Sequence, residues 1–247
     1  MLIPNIPDHC LHDKVILLTG AGSGIGKAVA KALAAYGATI VLVGKTTAKL
    51  EAVYDDIERQ GSPTPAIFPM DFTGASEHDV DELINSIDQT FGRLDGILHN
   101  AVHFQGLTPF NAISSELWYA TLQINLNTPF LITRTALPLL KQSDTASIVF
   151  TTDPVGKKGK AYTGAYGVSK FALEGMAQIL AEELEESQVR VNRVEPVEVK
   201  TSLTQRIYVG EEVEKLPLPE RITATYVYLM SDESRAIKGA SIVAQPA

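Results

Sequence analysis

Cysteine occurs once in this chain of 247 residues, at Cys10, so no internal disulfide can close and no cysteine cluster can hold a metal. Histidine is nearly as sparse: there are five, scattered without ligand-like spacing. No apolar run approaches the roughly 18 residues that span a bilayer. The opening segment, Met1-Leu-Ile-Pro-Asn-Ile-Pro-Asp-His-Cys10, lacks the basic start and apolar stretch of a secretory signal. Lysine and arginine (21) are outnumbered by aspartate and glutamate (29), and the net charge of −8 argues against nucleic acid or an anionic membrane surface as a partner. These absences leave a soluble, cytoplasmic protein as the expectation.

Hydrophobic residues make up 45% of the chain and charged residues 20%, enough apolar material for the core of one large domain. Short apolar runs at 14–19, 38–43, 65–70, 94–99, 146–151, 188–194 and 240–243 read as strands. Segments with helical periodicity alternate with them, at 27–36, 46–60, 76–91, 114–141, 162–187 and 220–230. Uniformly apolar strands between amphipathic helices predict an α/β fold: a doubly wound parallel sheet of about seven strands, covered by helices on both faces. Neither a repeat nor a low-complexity linker divides the chain, so a single domain over 1–247 is expected, with its core at about 14–244. In such a fold, ligands bind outside the carboxyl ends of the strands.

At the first strand-to-helix junction stands Thr19-Gly-Ala-Gly-Ser-Gly-Ile-Gly26. Glycines let the chain turn tightly and admit a phosphate, and the helix start behind them supplies free N–H groups and a positive dipole. Gly20, Ser23, Gly24, Ile25 and Gly26 are therefore candidate dinucleotide-binding positions, against the alternative of a plain packing turn. After the second strand, where an acidic residue would favour NAD, the chain reads Val43-Gly44-Lys45-Thr46. Lys45 can meet a ribose 2′-phosphate as a point charge, or it is simply a solvated lysine at a helix start. The balance leans towards NADP, with NAD as the alternative.

Tyr166 and Lys170 lie four residues apart in a predicted helix, on one face. An ammonium beside a phenol favours the phenolate and lowers its pKa, which fits the phenol for proton exchange near neutrality.

With the glycine turn and the Tyr-x-x-x-Lys pair in this order, the chain resembles the short-chain dehydrogenase/reductase family over nearly its whole length, in an uncharacterised bacterial branch. Asp71, His99-Asn-Ala-Val102, Asn125, Arg190-Val-Asn-Arg-Val-Glu-Pro196 and Thr201 fall where that family has its further markers. The resemblance implies a Rossmann-fold oxidoreductase that transfers a hydride between a nicotinamide and a small carbonyl or alcohol. It implies Tyr166 as general acid or base, and Lys170 as ligand of the nicotinamide ribose that also lowers the tyrosine's pKa. Asn125 would fix a water in a relay to Lys170. Asp71 would meet the adenine amino group, Asn100 and Ala101 the adenine ribose, and Val199 and Thr201 the nicotinamide end. Asn125 and Asp71 have plainer alternatives, as satisfier of backbone groups and as turn residue. The long helices 114–141 and 162–187 resemble those that pair family subunits, so a homodimer or homotetramer is expected. The segment 203–218 occupies the place of the substrate lid.

Three positions depart from the pattern. Thirteen residues before Tyr166, where the family has a serine that donates to the substrate carbonyl, stands Asp153. An ionised carboxylate only accepts, and it opposes a developing alkoxide. A buried, protonated Asp153, or the hydroxyl of Thr152 turned into that place, would restore a donor; alternatively, Asp153 caps the next turn and points away. Val102 and Val197 replace glycines near the expected nicotinamide, and Glu195 and Glu198 add acid to the pocket mouth. These departures leave a second expectation open: a homologue that binds dinucleotide as a sensor or scaffold but has lost the reaction.

Overall fold

The structure, a computed structural model, describes residues 6–207 and 211–244. Of the expected domain and lid, positions 1–5, 208–210 and 245–247 lie outside the described residues.

Seven strands form one parallel sheet: β1 (Val15–Thr19), β2 (Thr39–Gly44), β3 (Ala66–Pro69), β4 (Gly96–His99), β5 (Ala146–Thr151), β6 (Val189–Pro196) and β7 (Ser241–Ala244). Their order is β3-β2-β1-β4-β5-β6-β7. The chain reverses its direction of travel between β1 and β4, the switch point outside whose carboxyl ends such sheets bind their ligands in a crevice. Strand residues alternate between two cores. Ile16, Leu18, Ile40 and Leu42 pack with α1 (Gly24–Ala35), α2 (Thr47–Arg59) and α8 (Thr223–Met230). Val15, Leu17, Val41 and Val43 pack with α3 (Glu77–Phe91), α5 (Thr128–Leu140) and α6 (Gly164–Glu183). Apolar side chains on both faces are why these strands read as continuous hydrophobic runs. The doubly wound sheet expected from the sequence is present.

The helix expected over 114–141 is in fact interrupted. α4 (Ser115–Leu122), capped by Ser114, whose Oγ accepts from Leu117 N at 3.2 Å, gives way to a π turn at Gln123–Asn127 before α5 begins. Pro129 follows directly; it has no N–H for the carbonyl four residues back, and the wider turn accommodates it. The turn carries Asn125 inward, where it is buried. The helix expected from 162 starts at Gly164 instead, because Tyr162 has φ +69°, a left-handed backbone incompatible with the helix. Between β6 and α8, the segment expected to form a lid includes the short α7 (Glu211–Glu214).

At the far end of the sheet, the buried Arg190 guanidinium donates to the carbonyls of Leu229 and Ser231, the last turn of α8. Burial lowers its pKa to about 10.

Candidate active site

The glycine turn joins β1 to α1 at the crevice. Gly20 has φ +70°, and a Cβ there would lie 2.8 Å from Ala101 Cα; a Cβ on Gly26 would lie 2.1 Å from the Gly20 carbonyl oxygen. Both positions exclude any other residue. Thr19 Oγ1 accepts from the N–H groups of Asn100 (3.0 Å) and Ala101 (3.1 Å), tying the end of β1 to the segment after β4. At the start of α1, Ser23 is extended and its side chain makes no capping bond, and no acidic residue stands in the first turn. The N–H groups of Gly24, Ile25 and Gly26 therefore have no partner within the helix, and the dipole there is uncompensated, a place suited to a phosphate. Thr201 closes over it, its methyl carbon 3.3 Å from a Cβ placed on Gly24. Val199 is buried, and its carbonyl accepts from Thr204 Oγ1. Lys45 is exposed just beyond Gly44, close enough to Asp71 and His103 to lower the pKa of each, behind larger local causes. Asp71 does serve as a turn residue: Oδ1 accepts from Thr73 N at 3.0 Å, the main cause of its lowered pKa, and the side chain remains exposed. These cradle residues fit a dinucleotide.

On the other side of the crevice, α6 presents Tyr166 and Lys170, both buried. Lys170 donates to the Thr151 carbonyl at 2.8 Å, and its Nζ lies 5.7 Å from the centre of the Tyr166 ring. Burial lowers the lysine's pKa to about 8, against the opposing charges of Asp153 and Glu174. Tyr166 donates its O–H to Asp153 Oδ2 at 2.6 Å. Burial, then the Asp153 charge and this hydrogen bond, raise the phenol well above its usual pKa. The expected lowering by Lys170 is thus reversed: the ammonium points to a backbone carbonyl, and a carboxylate holds the phenol's proton.

Asp153 caps the turn as one expectation had it, but it does not point away. Its Oδ1 accepts from Val155 N at 2.8 Å, capping the turn that Pro154 begins, while Oδ2 faces Tyr166 rather than pointing away. Thr152 does not replace the missing serine. Its hydroxyl is buried and donates to the Val194 carbonyl at 3.3 Å, since the neighbouring strand β6 takes up that side of β5. Asn125 clamps the backbone of His103 from both ends, accepting from its N–H at 2.6 Å and donating to its carbonyl at 3.1 Å, and it also donates to Ser169 Oγ at 2.9 Å. It thus satisfies backbone groups, and it meets α6 at Ser169, the residue before Lys170.

Two other departures look different in three dimensions. Val197 packs against the core beside α8 and donates its N–H to the Ala244 carbonyl at 3.3 Å, so its side chain serves packing. Val102 is exposed. The mouth gains less acid than the sequence implies, because Glu195 is paired with Lys157 at 2.6 Å; Glu198 is exposed.

Several neighbours were not legible in the sequence. Phe104 stacks at a tilt on Tyr166, with centroids 4.9 Å apart, and Val155, Leu203 and Ile207 complete an apolar wall around the phenol. Arg206, from the segment between β6 and α8, donates to the Phe104 carbonyl. Nothing in their spacing singles them out, because each meets Tyr166 or its neighbours only through the fold. His99, by contrast, belongs to the core: it stacks on Phe150, and burial lowers its pKa to about 3.

Comparison with known proteins gives this geometry a context. A family model described as short chain dehydrogenase matches residues 14–212. The uncharacterized oxidoreductase YciK of Escherichia coli K12 is 38% identical over 236 residues, covering 96% of this chain and 93% of that protein. Among solved structures, a short chain dehydrogenase from Pseudomonas syringae is 42% identical, with a TM-score of 0.94, over 99% of this chain and 100% of that one. Another, from Shigella flexneri 2a and complexed with NADP, is 38% identical with a TM-score of 0.93, over 97% and 100% respectively. The uncapped glycine turn, the Tyr166–Lys170 pair at the crevice and these matches agree, and the chain belongs to the short-chain dehydrogenase family.

Proposed function

We propose that this protein is an NADP-dependent oxidoreductase acting on a small carbonyl or alcohol, with Tyr166 exchanging the proton. The observation that carries this reading is the buried Tyr166–Lys170 pair, set at the end of β5 on the same sheet edge as the glycine turn. When bound, the nicotinamide supplies or accepts the hydride. The backbone of Ser23, Gly24, Ile25 and Gly26 would hold the pyrophosphate, and Gly44 and Lys45 the adenosine ribose with its 2′-phosphate. Asp71, Asn100 and Ala101 would meet the adenine and its ribose, Lys170 the nicotinamide ribose, and Val199 and Thr201 the nicotinamide end. Asn125 holds the His103 backbone in place and with it the Phe104 wall of the substrate site. The NADP complex of the Shigella relative supports the choice of cofactor.

The test has two arms. Fluorescence titration should show NADPH bound in preference to NADH. Oxidation of NADPH with a panel of small carbonyls should then show turnover that Tyr166→Phe lowers by about a hundredfold or more, the usual contribution of a positioned proton donor. NADPH bound without turnover on any carbonyl would favour the sensor or scaffold reading, for which the Asp153 hold on the tyrosine proton is the motivating contact.

We further propose a homodimer or homotetramer formed through helices 114–141 and 162–187. Val168, Phe171 and Ile179 are exposed along one stripe of α6, with Tyr119 and Phe130 exposed on α4 and α5. Sedimentation of Ile179→Glu should show smaller species than the unaltered chain; an unchanged profile counts against this interface. The lone cysteine and the acidic balance fit a cytoplasmic setting, and among the described residues no helix is long and apolar enough to cross a membrane.

A further inference from the structure

Resting on that reading, the pairing of Asp153 with Tyr166 points to the substrate's class. Asp153 is a carboxylate held in a fixed direction, with Oδ1 on Val155 N and Oδ2 2.6 Å from Tyr166 Oη. Its oxygens are taken by one N–H and one O–H, not by a cation. The nearby ammonium of Lys170 donates to the Thr151 carbonyl instead, and Glu195 at the mouth is already neutralised by Lys157. Phe104, Val155, Leu203 and Ile207 wall this corner with apolar surface. There a charge interacts strongly with whatever is placed beside it.

We propose that Asp153 is a specificity-determining residue, and that the substrate is an α-amino ketone or the corresponding vicinal amino alcohol, whose ammonium pairs with Asp153 while its oxygen meets Tyr166. Two facts of geometry support this assignment. Atoms on adjacent carbons can turn to the same side and stand at about hydrogen-bonding distance, ~2.8 Å, which matches the 2.6 Å between the two protein oxygens. Each carboxylate oxygen also has two acceptor positions, so Oδ2 can take a substrate N–H beside the phenol, whose O–H then turns to the substrate oxygen.

In the reductive direction, hydride from the reduced nicotinamide would form the new C–H bond at the carbonyl carbon, and the C=O π pair moves onto oxygen. Tyr166 passes its proton to that oxygen and later recovers one from water; the nicotinamide is oxidised, and the ammonium is unchanged throughout. The ammonium occupies the carboxylate that otherwise holds the phenol's proton, and so frees that proton for the substrate oxygen. A neutral ketone offers Asp153 no such partner.

The test measures binding and needs no turnover. Calorimetric titration of the protein–NADP⁺ complex with 1-amino-2-propanol should give an affinity about ten- to a hundredfold tighter than with 1,2-propanediol, the range of a hydrogen-bonded ion pair. Asp153→Asn and Asp153→Ser should each erase that preference. Equal affinities for amine and diol in the unaltered protein, no amine binding at millimolar concentration, or a preference that survives both substitutions would overturn the proposal. The contrast within the unaltered protein stands even if a variant misfolds. Failure of NADPH to bind in a separate fluorescence titration would instead sink the oxidoreductase reading itself.

Discussion

Lys170 donates its ammonium to the carbonyl of Thr151, the last residue of β5 and two before Asp153, at 2.8 Å. A buried cation is thereby anchored to the sheet while the tyrosine one helical turn away is held by an anion. The pair that marks the chain in sequence is divided in space between two partners, and each partner has a measurable consequence.

Burial sets Lys170 at about 8, against 10.5 for the free side chain. Between those values the unfolded chain keeps a proton that the folded chain has lost. The unfolded state then binds more protons, and stability from this group rises with pH across that window. Below about pH 8 both states are protonated and the contribution is flat. Urea unfolding at pH 7.5, 9 and 10.5 should show the unaltered protein gaining stability relative to Lys170→Met as pH rises; a constant difference would mean the lysine titrates normally.

Lys45 is exposed at the end of β2, where an acidic residue would favour NAD. Lys45→Ala should weaken NADPH about tenfold, the loss of one exposed charge-assisted contact, and leave NADH unchanged. Equal weakening of both cofactors would place Lys45 away from the 2′-phosphate.

Gly26 lies where a Cβ would meet the Gly20 carbonyl oxygen at 2.1 Å, and backbone cannot yield as a flexible side chain can. Gly26→Ala should cost about 3 kcal/mol, seen as a lower urea midpoint, and should abolish NADPH binding. A variant of unchanged midpoint and affinity would mean that the turn reshapes freely.

Arg206 joins the lid to the Phe104 carbonyl, and Phe104 in turn stacks on Tyr166. Arg206→Ala should leave the unfolding midpoint near its original value while raising KM about tenfold, the loss of one hydrogen bond from a charged group. Limited proteolysis should cut faster within residues 201–218. Unaltered KM and cleavage would mean that Leu203 and Ile207 hold the lid by packing alone.

The parts that sequence and structure share are local. The glycine turn stands out in the sequence, and a left-handed φ at Gly20 and a close carbonyl at Gly26 are why those positions carry no side chain. The two-core sheet is legible because strands buried on both faces must be apolar throughout. Element ends are less so. Helix 114–141 breaks at a π turn that hydrophobic periodicity does not encode, although Pro129 marks the place.

By itself, then, the sequence determined the strand–helix alternation, the glycine turn and the placing of Tyr166 and Lys170 on one helix face, since each follows from spacing along a few residues. Only the tertiary structure decided where Asp153 points, that Thr152 is committed to β6, that Val197 packs into the core, and that Glu195 is neutralised by a lysine. It also reversed the electrostatics of the tyrosine, raising a pKa that the Tyr-x-x-x-Lys spacing implies should fall. The physical reason is that a pKa depends on burial and on the direction of neighbouring hydrogen bonds. Both are set by residues 13 to 102 positions apart that meet only when β5, α6, the Phe104 segment and the lid have packed together.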